Sequence, residues 1–262
     1  MASPLDEGQV KFAETAFRSA KSLLSIINNI LDFSKIESGK FHLVMKEFIL
    51  RDLLEDVAEI MARQIGCEDL EFVLDIPDDL GGYVKTDEDR LRQVLINLLG
   101  NAIKFTEHGQ VVLKASWIDK SAIEHSGHRQ LLFEVIDTGP GVPEAQQEFI
   151  FDSFTQVDSS ITRTYSGTGL GLAISREFVS LLGGELKVRS RLGDGACFYF
   201  DLPLEFTDFQ RESLDHADVA LFQGKKLLVA DDNSIIRDFI CRQLSSWGVS
   251  CQGVDSGDAA LA

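Results

Sequence analysis

The chain has 262 residues, of which 44% are hydrophobic and 26% are charged, and this composition predicts a folded protein rather than a disordered one. Its 42 acidic and 25 basic side chains give a formal charge of -17, which disfavours nucleic acid and anionic membrane surfaces as partners. Apolar runs fall short of the ~18 to 20 residues that span a bilayer, and MASPLDEG lacks a signal pattern. We therefore expect this part of the protein to be cytoplasmic, even where a full-length parent is membrane-anchored.

A long amphipathic helix is predicted first. Apolar residues recur every three or four positions between residues 13 and 34 and form two neighbouring seams. Gly39 predicts the end of this helix, because glycine readily adopts the left-handed conformation that follows helix C-termini. Two seams suit a bundle, so residues 11–37 are predicted to form a homodimer. The alternative is a helix that packs only on its own domain.

Strands and helices alternate over residues 39–206. The predicted strands cover residues 41–45, 70–76, 111–118, 131–136, 185–191 and 197–202. The predicted helices cover residues 53–65, 87–106 and 169–182. Three helices with five or six strands, two of which form a hairpin around residues 193–195, predict the α/β class and a two-layer sandwich.

Four short motifs occur in one order between residues 97 and 172. They are NLLGNAIKFT at 97–106, DTGPG at 137–141, FDSF at 151–154 and GTGLGL at 167–172. Together they resemble the nucleotide-binding boxes of sensor histidine kinases, whose ATP-binding domain has the fold of gyrase-type ATPases. The resemblance implies binding of ATP with Mg²⁺ and transfer of the γ-phosphoryl group to a histidine.

The resemblance extends to both ends of the chain and implies a hybrid histidine kinase. Residues 23–40 resemble the second helix of the dimerisation and phosphoacceptor hairpin, and the first, histidine-bearing helix is expected to precede Ser3. Residues 225–262 resemble the start of a receiver domain, in which Asp231 and Asp232 match the magnesium-binding acidic pair. A solvated loop is the alternative for these two aspartates. The predicted division is a dimerisation helix at 1–38, a catalytic domain at 39–206, a linker at 207–224 and a truncated receiver at 225–262.

The third predicted helix carries the groups assigned to the phosphates and the metal. Asn97, Asn101 and Lys104 are spaced by four and three residues and so share one helix face. By resemblance, Asn101 coordinates Mg²⁺, Lys104 approaches the phosphates and Asn97 helps to position metal or water. The chemistry fits, because an amide oxygen is a hard ligand that adds no negative charge beside a polyphosphate. A pair of asparagines on a helix surface is the alternative.

Asp137 is assigned to the adenine. It ends a predicted strand and precedes a turn that contains Gly139 and Gly141, where a carboxylate can accept the exocyclic N–H of the base. The alternative is an aspartate that only forms the turn.

Backbone N–H groups at the start of the last helix are assigned to phosphate binding. The residues concerned are Gly167, Thr168, Gly169, Leu170 and Gly171. A Walker lysine is absent, so a P-loop fits poorly. By resemblance, the connection over residues 143–166 corresponds to the ATP lid of the family, and Phe151 and Phe154 are predicted to anchor it and to contact the nucleotide.

Two departures from family patterns bear on activity. Cys197 occupies a position where threonine is common, and the weaker S–H donor is expected to reduce the contact with adenine or its water without abolishing binding. The gyrase-type ATPases carry a glutamate base where this chain has Asn97. Without that base, transfer to a separate nucleophile is favoured over hydrolysis.

The expected nucleophile is a histidine outside this chain. None of the five histidines lies in the phosphoacceptor setting of the family, so the chain is not expected to phosphorylate itself efficiently. The implied partners are a histidine-bearing helix of a kinase dimer and a response regulator or phosphotransfer protein. The alternative from another class is a catalytically silent ATP-binding or dimerising fragment.

Overall fold

The structure is a computed structural model, and it describes residues 6–65, 70–77, 80–118, 128–153, 155, 169–207, 225–246 and 248–261. Three residues assigned to the nucleotide, Phe154, Gly167 and Thr168, lie outside these ranges, as do residues 208–224 of the predicted linker. No helix within the described ranges is long and apolar enough to cross a membrane.

Helix α1 (Glu7–Glu37) begins with a capping box. The backbone N–H of Gln9 donates to Asp6 Oδ1 at 2.8 Å, and the backbone N–H of Asp6 donates to Gln9 Oε1 at 3.1 Å. The helix ends as predicted before Gly39, whose φ of 65° lies in the left-handed region.

The apolar seams of α1 are mostly exposed. Phe33 and Ile36, near its C-terminal end, pack against the core of the following domain. Large apolar side chains elsewhere on the helix face solvent, namely Val10, Phe12, Phe17, Leu23, Leu24, Ile27, Ile30 and Leu31. One end of the helix therefore packs on its own domain, as in the alternative, and dimerisation through the exposed remainder stays a prediction.

Self-association of the chain should depend on this exposed surface. Each leucine or isoleucine transferred from water to an interface contributes ~1.5 to 3 kcal/mol. We expect the double variant Leu24→Glu, Leu31→Glu to sediment as a monomer at concentrations where the unmodified chain is a dimer. Lys11→Glu makes the same change of net charge at an exposed position on the side of the helix away from Leu24 and Leu31, so it serves as the control and should remain dimeric. An unmodified chain that is monomeric at tens of micromolar would contradict the prediction.

A seven-stranded sheet follows α1 along the chain. Its strands are β1 (Lys46–Ile49), β2 (Leu70–Asp75), β3 (Tyr83–Thr86), β4 (Gly109–Trp117), β5 (His128–Asp137), β6 (Lys187–Ser190) and β7 (Ala196–Thr207). The order is β1-β3-β7-β5-β4-β2, and β6 pairs with the first part of β7. Only the β2–β4 pair is parallel among these described strands.

Helices α2 (Leu50–Ala62), α3 (Glu88–Phe105) and α4 (Gly171–Leu181) pack on one face of this sheet. Every second residue of β5 and β7 points toward these helices, and Phe133 and Phe200 stack there with ring centroids 5.0 Å apart. The prediction of a two-layer α/β sandwich is confirmed.

Two elements differ from the sequence prediction. Residues 41–45 form no strand, because their contacts are with side chains and not with the backbone of another strand. The Phe41 and Phe178 ring centroids are 5.3 Å apart, and the Val44 N–H donates to Asp87 Oδ2 at 2.8 Å. Strand β1 begins only at Lys46. The prediction also lacked β3, a four-residue strand that is too short to give a clear alternating pattern.

One arginine connects α1 to the domain. Arg90 of α3 donates to Asp32 Oδ2 of α1 at 2.9 Å. Its guanidinium also lies 5.0 Å from the ring of Phe41 and 4.9 Å from the ring of Phe178. An ion pair and two cation–π contacts thus meet at this side chain.

The C-terminal part contains β8 (Lys226–Ala230), α5 (Ser234–Ser246), β9 (Ser250–Val254) and α6 (Gly257–Leu261). Strands β8 and β9 are parallel, with α5 as the connection between them. This order is compatible with the start of a receiver domain. The receiver assignment of residues 225–262 and the division of the chain into separate domains stay predictions.

Candidate functional site

Helix α3 lies within the predicted range of residues 87–106. Asp87 caps its start, since Asp87 Oδ1 accepts the backbone N–H of Arg90 at 3.1 Å. Its apolar face is buried, with Leu91, Val94, Leu95, Leu98, Leu99 and Ala102 in the core. Asn97 and Asn101 are half-buried on the polar edge, as their spacing predicts.

A cavity of about 470 Å³ lies beside this edge. Its lining comes from α1, α3 and α4: Asn29, Asp89, Arg92, Gln93, Ile96, Asn97, Gly100, Asn101, Gly171, Ile174 and Ser175. The structure thus brings together three of the predicted residues, Asn97, Asn101 and Gly171.

Asn97 also links α3 to α4. Its side-chain amide donates to Ser175 Oγ at 2.9 Å. A Cβ added to Gly171 would lie 2.3 Å from Asn97 Oδ1, so glycine at this position leaves the space that the amide occupies. Ser175 was missed by the sequence analysis, because a buried serine inside a helix has no local signal of its partner.

Asp137 is buried at the end of β5, near the C-terminus of α3. Its Oδ1 accepts the backbone N–H of Gly139 at 2.9 Å and that of Ala196 at 3.3 Å. Burial raises the pKa of the Asp137 carboxyl above its ordinary value, and these two N–H groups offset part of that rise. Neither of the two bonds uses Oδ2.

The turn after Asp137 is held between α3 and the β6–β7 hairpin. A Cβ on Gly139 would lie 3.0 Å from the carbonyl oxygen of Phe105. Gly141 has a φ of 73°, and a Cβ there would lie 2.3 Å from the carbonyl oxygen of Arg191. A Cβ on Gly195 would lie 2.0 Å from the carbonyl oxygen of Asp137. Glycine is required at these positions because two backbones approach each other closely.

Two polar side chains that the sequence analysis missed brace the same turn. Ser190 Oγ accepts the N–H of Val142 at 2.7 Å and donates to the carbonyl oxygen of Gly195 at 2.7 Å. The amide of Gln147 donates to the carbonyl oxygens of Val142 and Ser190 at 3.0 and 2.8 Å. These contacts join distant parts of the sequence, so no local pattern could indicate them.

Other predicted site residues lie away from the cavity lining. Lys104 is half-buried, with its ammonium 4.9 Å from the Phe105 ring, and burial lowers the pKa of its amine. Phe151 is buried against Phe198, with 6.3 Å between ring centroids, and so anchors its segment in the core. Leu170 is also buried in the core, while Gly169 beside it has a φ of 69°.

The structure does not bring Cys197 to the Asp137 turn. In the β5–β7 register Asp137 is opposite Ala196, and Cys197 is opposite Ile136. Neighbouring strand residues point to opposite faces, so the Cys197 side chain lies on the face opposite α2, α3 and α4. There its Sγ is 3.8 Å from Glu134 Oε1. The expected side-chain contact with adenine is therefore not supported, and the backbone N–H of Ala196 faces Asp137 instead.

Asp231 and Asp232 follow the end of β8. Asp231 Oδ1 accepts the backbone N–H of Asn233 at 2.8 Å, and Asp232 is exposed. Over the described part of the chain, no group of three or more histidine, cysteine, aspartate or glutamate side chains could hold a metal ion. Metal binding by this pair stays a prediction.

Comparison with protein families defines the class of the domain. Residues 86–206 match the family of histidine kinase-, DNA gyrase B- and HSP90-like ATPases, and residues 1–39 match the His kinase A phospho-acceptor domain. The crystal structure of full-length ShkA in complex with AMPPNP has a TM-score of 0.77 and 32% identity, and the match covers 99% of this chain and 51% of that one.

Relatives align along nearly the whole chain. The sensory/regulatory protein RpfC of Xanthomonas campestris pv. campestris is 32% identical over 283 residues, which cover 98% of this chain and 39% of RpfC. The sensor histidine kinase GacS of Pseudomonas protegens is 38% identical over 247 residues, which cover 94% of this chain and 26% of GacS. The chain belongs to the sensor histidine kinases. It spans less than half of the length of either relative.

Proposed function

We propose that the chain is the catalytic and ATP-binding part of a hybrid sensor histidine kinase. It binds ATP with Mg²⁺ and transfers the γ-phosphoryl group to a histidine on a separate helix. The observation that carries this proposal is the arrangement of three polar side chains around α3. The buried carboxylate of Asp137 lies beside the end of the helix, and the amides of Asn97 and Asn101 lie on it. Asp137 lies by the C-terminus of α3, and Asn97 and Asn101 line the cavity one to two helical turns earlier.

The turn at residues 137–141 is the proposed adenine end. With Asp137 Oδ1 occupied by two backbone N–H groups, Oδ2 is available to accept the exocyclic N–H of the base. Gly139 and Gly141 keep side chains out of the space beside the carboxylate, and the β6–β7 hairpin holds the turn in place.

The cavity between α3 and α4 is the proposed phosphate end. Asn101 lies ~6 Å along the helix axis from Phe105, which contacts the adenine turn, so one nucleotide can reach both. Its amide oxygen suits Mg²⁺, and Lys104 lies one turn further on the same helix. Helix α4 starts at Gly171 without a side-chain cap, and its first N–H groups suit phosphate. ShkA was crystallised with AMPPNP, which supports a nucleotide in this fold.

The architecture favours transfer to a histidine over hydrolysis. Asn97, in the position of the gyrase-type glutamate, has no carboxylate to take a proton from water. The cavity is also lined by Asn29 of α1, within the segment that matches the phospho-acceptor domain. A histidine-bearing helix packed beside α1 would thus face the phosphate end. The further partner proposed is a response regulator or phosphotransfer protein, as in two-component signalling.

Labelled ATP tests this proposal. The chain, mixed with a separate hairpin that carries a phosphoacceptor histidine, is expected to label that hairpin in the presence of Mg²⁺. Nucleotide binding without labelling would favour the alternative, a catalytically silent ATP-binding or dimerising fragment. No binding would contradict both.

Gly171→Ala probes the phosphate end separately. The added Cβ would displace the Asn97 amide, so we expect labelling of the hairpin to fall about tenfold through misplacement of a positioning group. Melting temperature should change little, because the displaced atom ends a side chain. Gly257→Ala, also at the first residue of a helix but with no atom near the added Cβ, is the control. Unchanged labelling by Gly171→Ala would argue against a role for Asn97.

A further inference from the structure

The face of the sheet opposite α2, α3 and α4 is covered at β2 and β4. Val73 and Val112 are only 5% and 2% exposed, yet neither belongs to the core cluster under α2, α3 and α4. They are opposite each other in the β2–β4 register, and Glu71 and Asp75 share their face. A segment other than α2, α3 and α4 must therefore cover these residues. We call Glu71, Val73, Asp75 and Val112 the outer patch.

The C-terminal segment at residues 225–261 contacts the outer patch through side chains. Arg242 of α5 donates to Asp75 Oδ1 at 2.9 Å. The side-chain amide of Asn233, in the loop after β8, donates to Gln110 Oε1 at 2.7 Å and to Glu71 Oε2. Gln110 is opposite Glu71 in the register, so all three acceptors lie on one face of the sheet. The occupant of the outer patch is thus a segment of this same chain.

Gln110 connects the outer patch to the adenine turn. Its backbone N–H donates to Thr138 Oγ1 at 2.9 Å, and its carbonyl oxygen accepts the Thr138 N–H at 3.2 Å. Thr138 directly follows Asp137. The packing is close, because a Cβ on Gly109 would lie 2.2 Å from Thr138 Oγ1. The C-terminal segment therefore contacts Gln110 through Asn233. The backbone of Gln110 is in turn hydrogen-bonded to Thr138, in the turn that contains Asp137.

We propose that segment 225–261 regulates the nucleotide site by docking on the outer patch. Docking through Asn233 and Arg242 restrains Gln110, and with it the turn at 137–141, in the conformation that binds nucleotide. Loss of docking lowers nucleotide affinity about fivefold, the lower end of common coupling between sites. Because such coupling is reciprocal, nucleotide also tightens docking by the same factor. The inference rests on the proposed function in one respect, which is adenine binding at Asp137.

Charge reversal tests the docking contact directly. Arg242 is 58% exposed, and exposed ion pairs contribute little, so neutral truncation would give a small effect. Asp75→Arg and Arg242→Asp instead place two like charges together, and the double variant restores opposite charges. We expect each single variant of the whole chain to bind a non-hydrolysable ATP analogue with Mg²⁺ about fivefold more weakly by calorimetry. The double variant should return to within about twofold of the unmodified chain.

The design separates docking from long-range attraction to ATP. The two single variants change the net charge in opposite directions, so a common loss of affinity cannot come from the overall field. Glu185→Lys reverses an exposed charge elsewhere and should leave affinity unchanged. Asn233→Ala removes the bond to Gln110 and should lower affinity, with faster amide hydrogen exchange at Thr138.

Each outcome decides one claim. If the unmodified chain binds the analogue and the single variants bind equally well, the inference is overturned while the proposed function stands. A loss in the single variants that the double variant does not recover also overturns it, since the ion pair would not be the cause. If the unmodified chain binds no analogue, the proposed function fails, and the inference fails with it.

Discussion

Asn101→Ala is expected to abolish labelling of a histidine-bearing hairpin by this chain, with a loss of at least about a hundredfold. Removal of one group that stabilises transferring charge commonly costs ~10² to 10³ in rate. Asn101 supplies the hard amide oxygen at the cavity in which the Mg²⁺ and phosphates are proposed to bind. The measurement is transfer of label from ATP to the hairpin under single-turnover conditions.

The control for this variant is Gln130→Ala, which removes an exposed amide on β5 outside the cavity and should label the hairpin normally. Thermal melting should show both variants folded. Labelling by Asn101→Ala within a few-fold of the unmodified chain would remove this residue from the metal site.

Asp137→Asn is expected to weaken nucleotide binding about ten- to a hundredfold. A hydrogen bond to a charged acceptor contributes ~1.5 to 3 kcal/mol, which corresponds to that range of dissociation constants. The same variant should be more stable than the unmodified chain at neutral pH. Burial raises the pKa of Asp137 in the folded chain above its unfolded-state pKa. This shift stabilises the fold below the unfolded-state pKa, and the stabilisation is lost as pH rises through the folded-state pKa.

Calorimetry with an ATP analogue tests the expected loss of affinity, and thermal melting tests the expected gain in stability. Asp201→Asn, on the opposite face of the same sheet, makes the same change of charge and should alter nucleotide binding little. A loss of only about twofold in Asp137→Asn would count against the adenine role.

The pH dependence of binding follows from the same pKa. Because the ionised carboxylate accepts the adenine N–H, affinity should fall as pH decreases toward the raised pKa of Asp137, and this part of the decrease should vanish in the asparagine variant.

Local rules predicted much of the fold. The extent of α3 within residues 87–106, the end of α1 before Gly39 and the shared edge of Asn97 and Asn101 each follow from helix periodicity or from glycine. Such rules act within a few residues, so the sequence contains the whole signal.

The errors concern contacts between distant segments. The position of Cys197 in its motif is clear from the sequence, but its face depends on the register between β5 and β7. The burial of Phe151 against Phe198 agrees with its predicted anchoring role, and its contact with nucleotide stays a prediction. Likewise, the docking of Asn233 and Arg242 on the outer patch depends on tertiary contacts more than 120 residues apart in sequence.

The connection through Arg90 has a consequence for movement between α1 and the catalytic domain. Beside the apolar contacts of Phe33 and Ile36, the two are joined by the Arg90 guanidinium, which Asp32 of α1 and the rings of Phe41 and Phe178 hold. Water and dissolved ions can replace such partners when they separate, whereas a broad apolar seam would have to be exposed at high cost. Movement of α1 against the domain should therefore cost little at the Arg90 contacts, while the burial of Phe33 and Ile36 opposes separation at the C-terminal end of the helix.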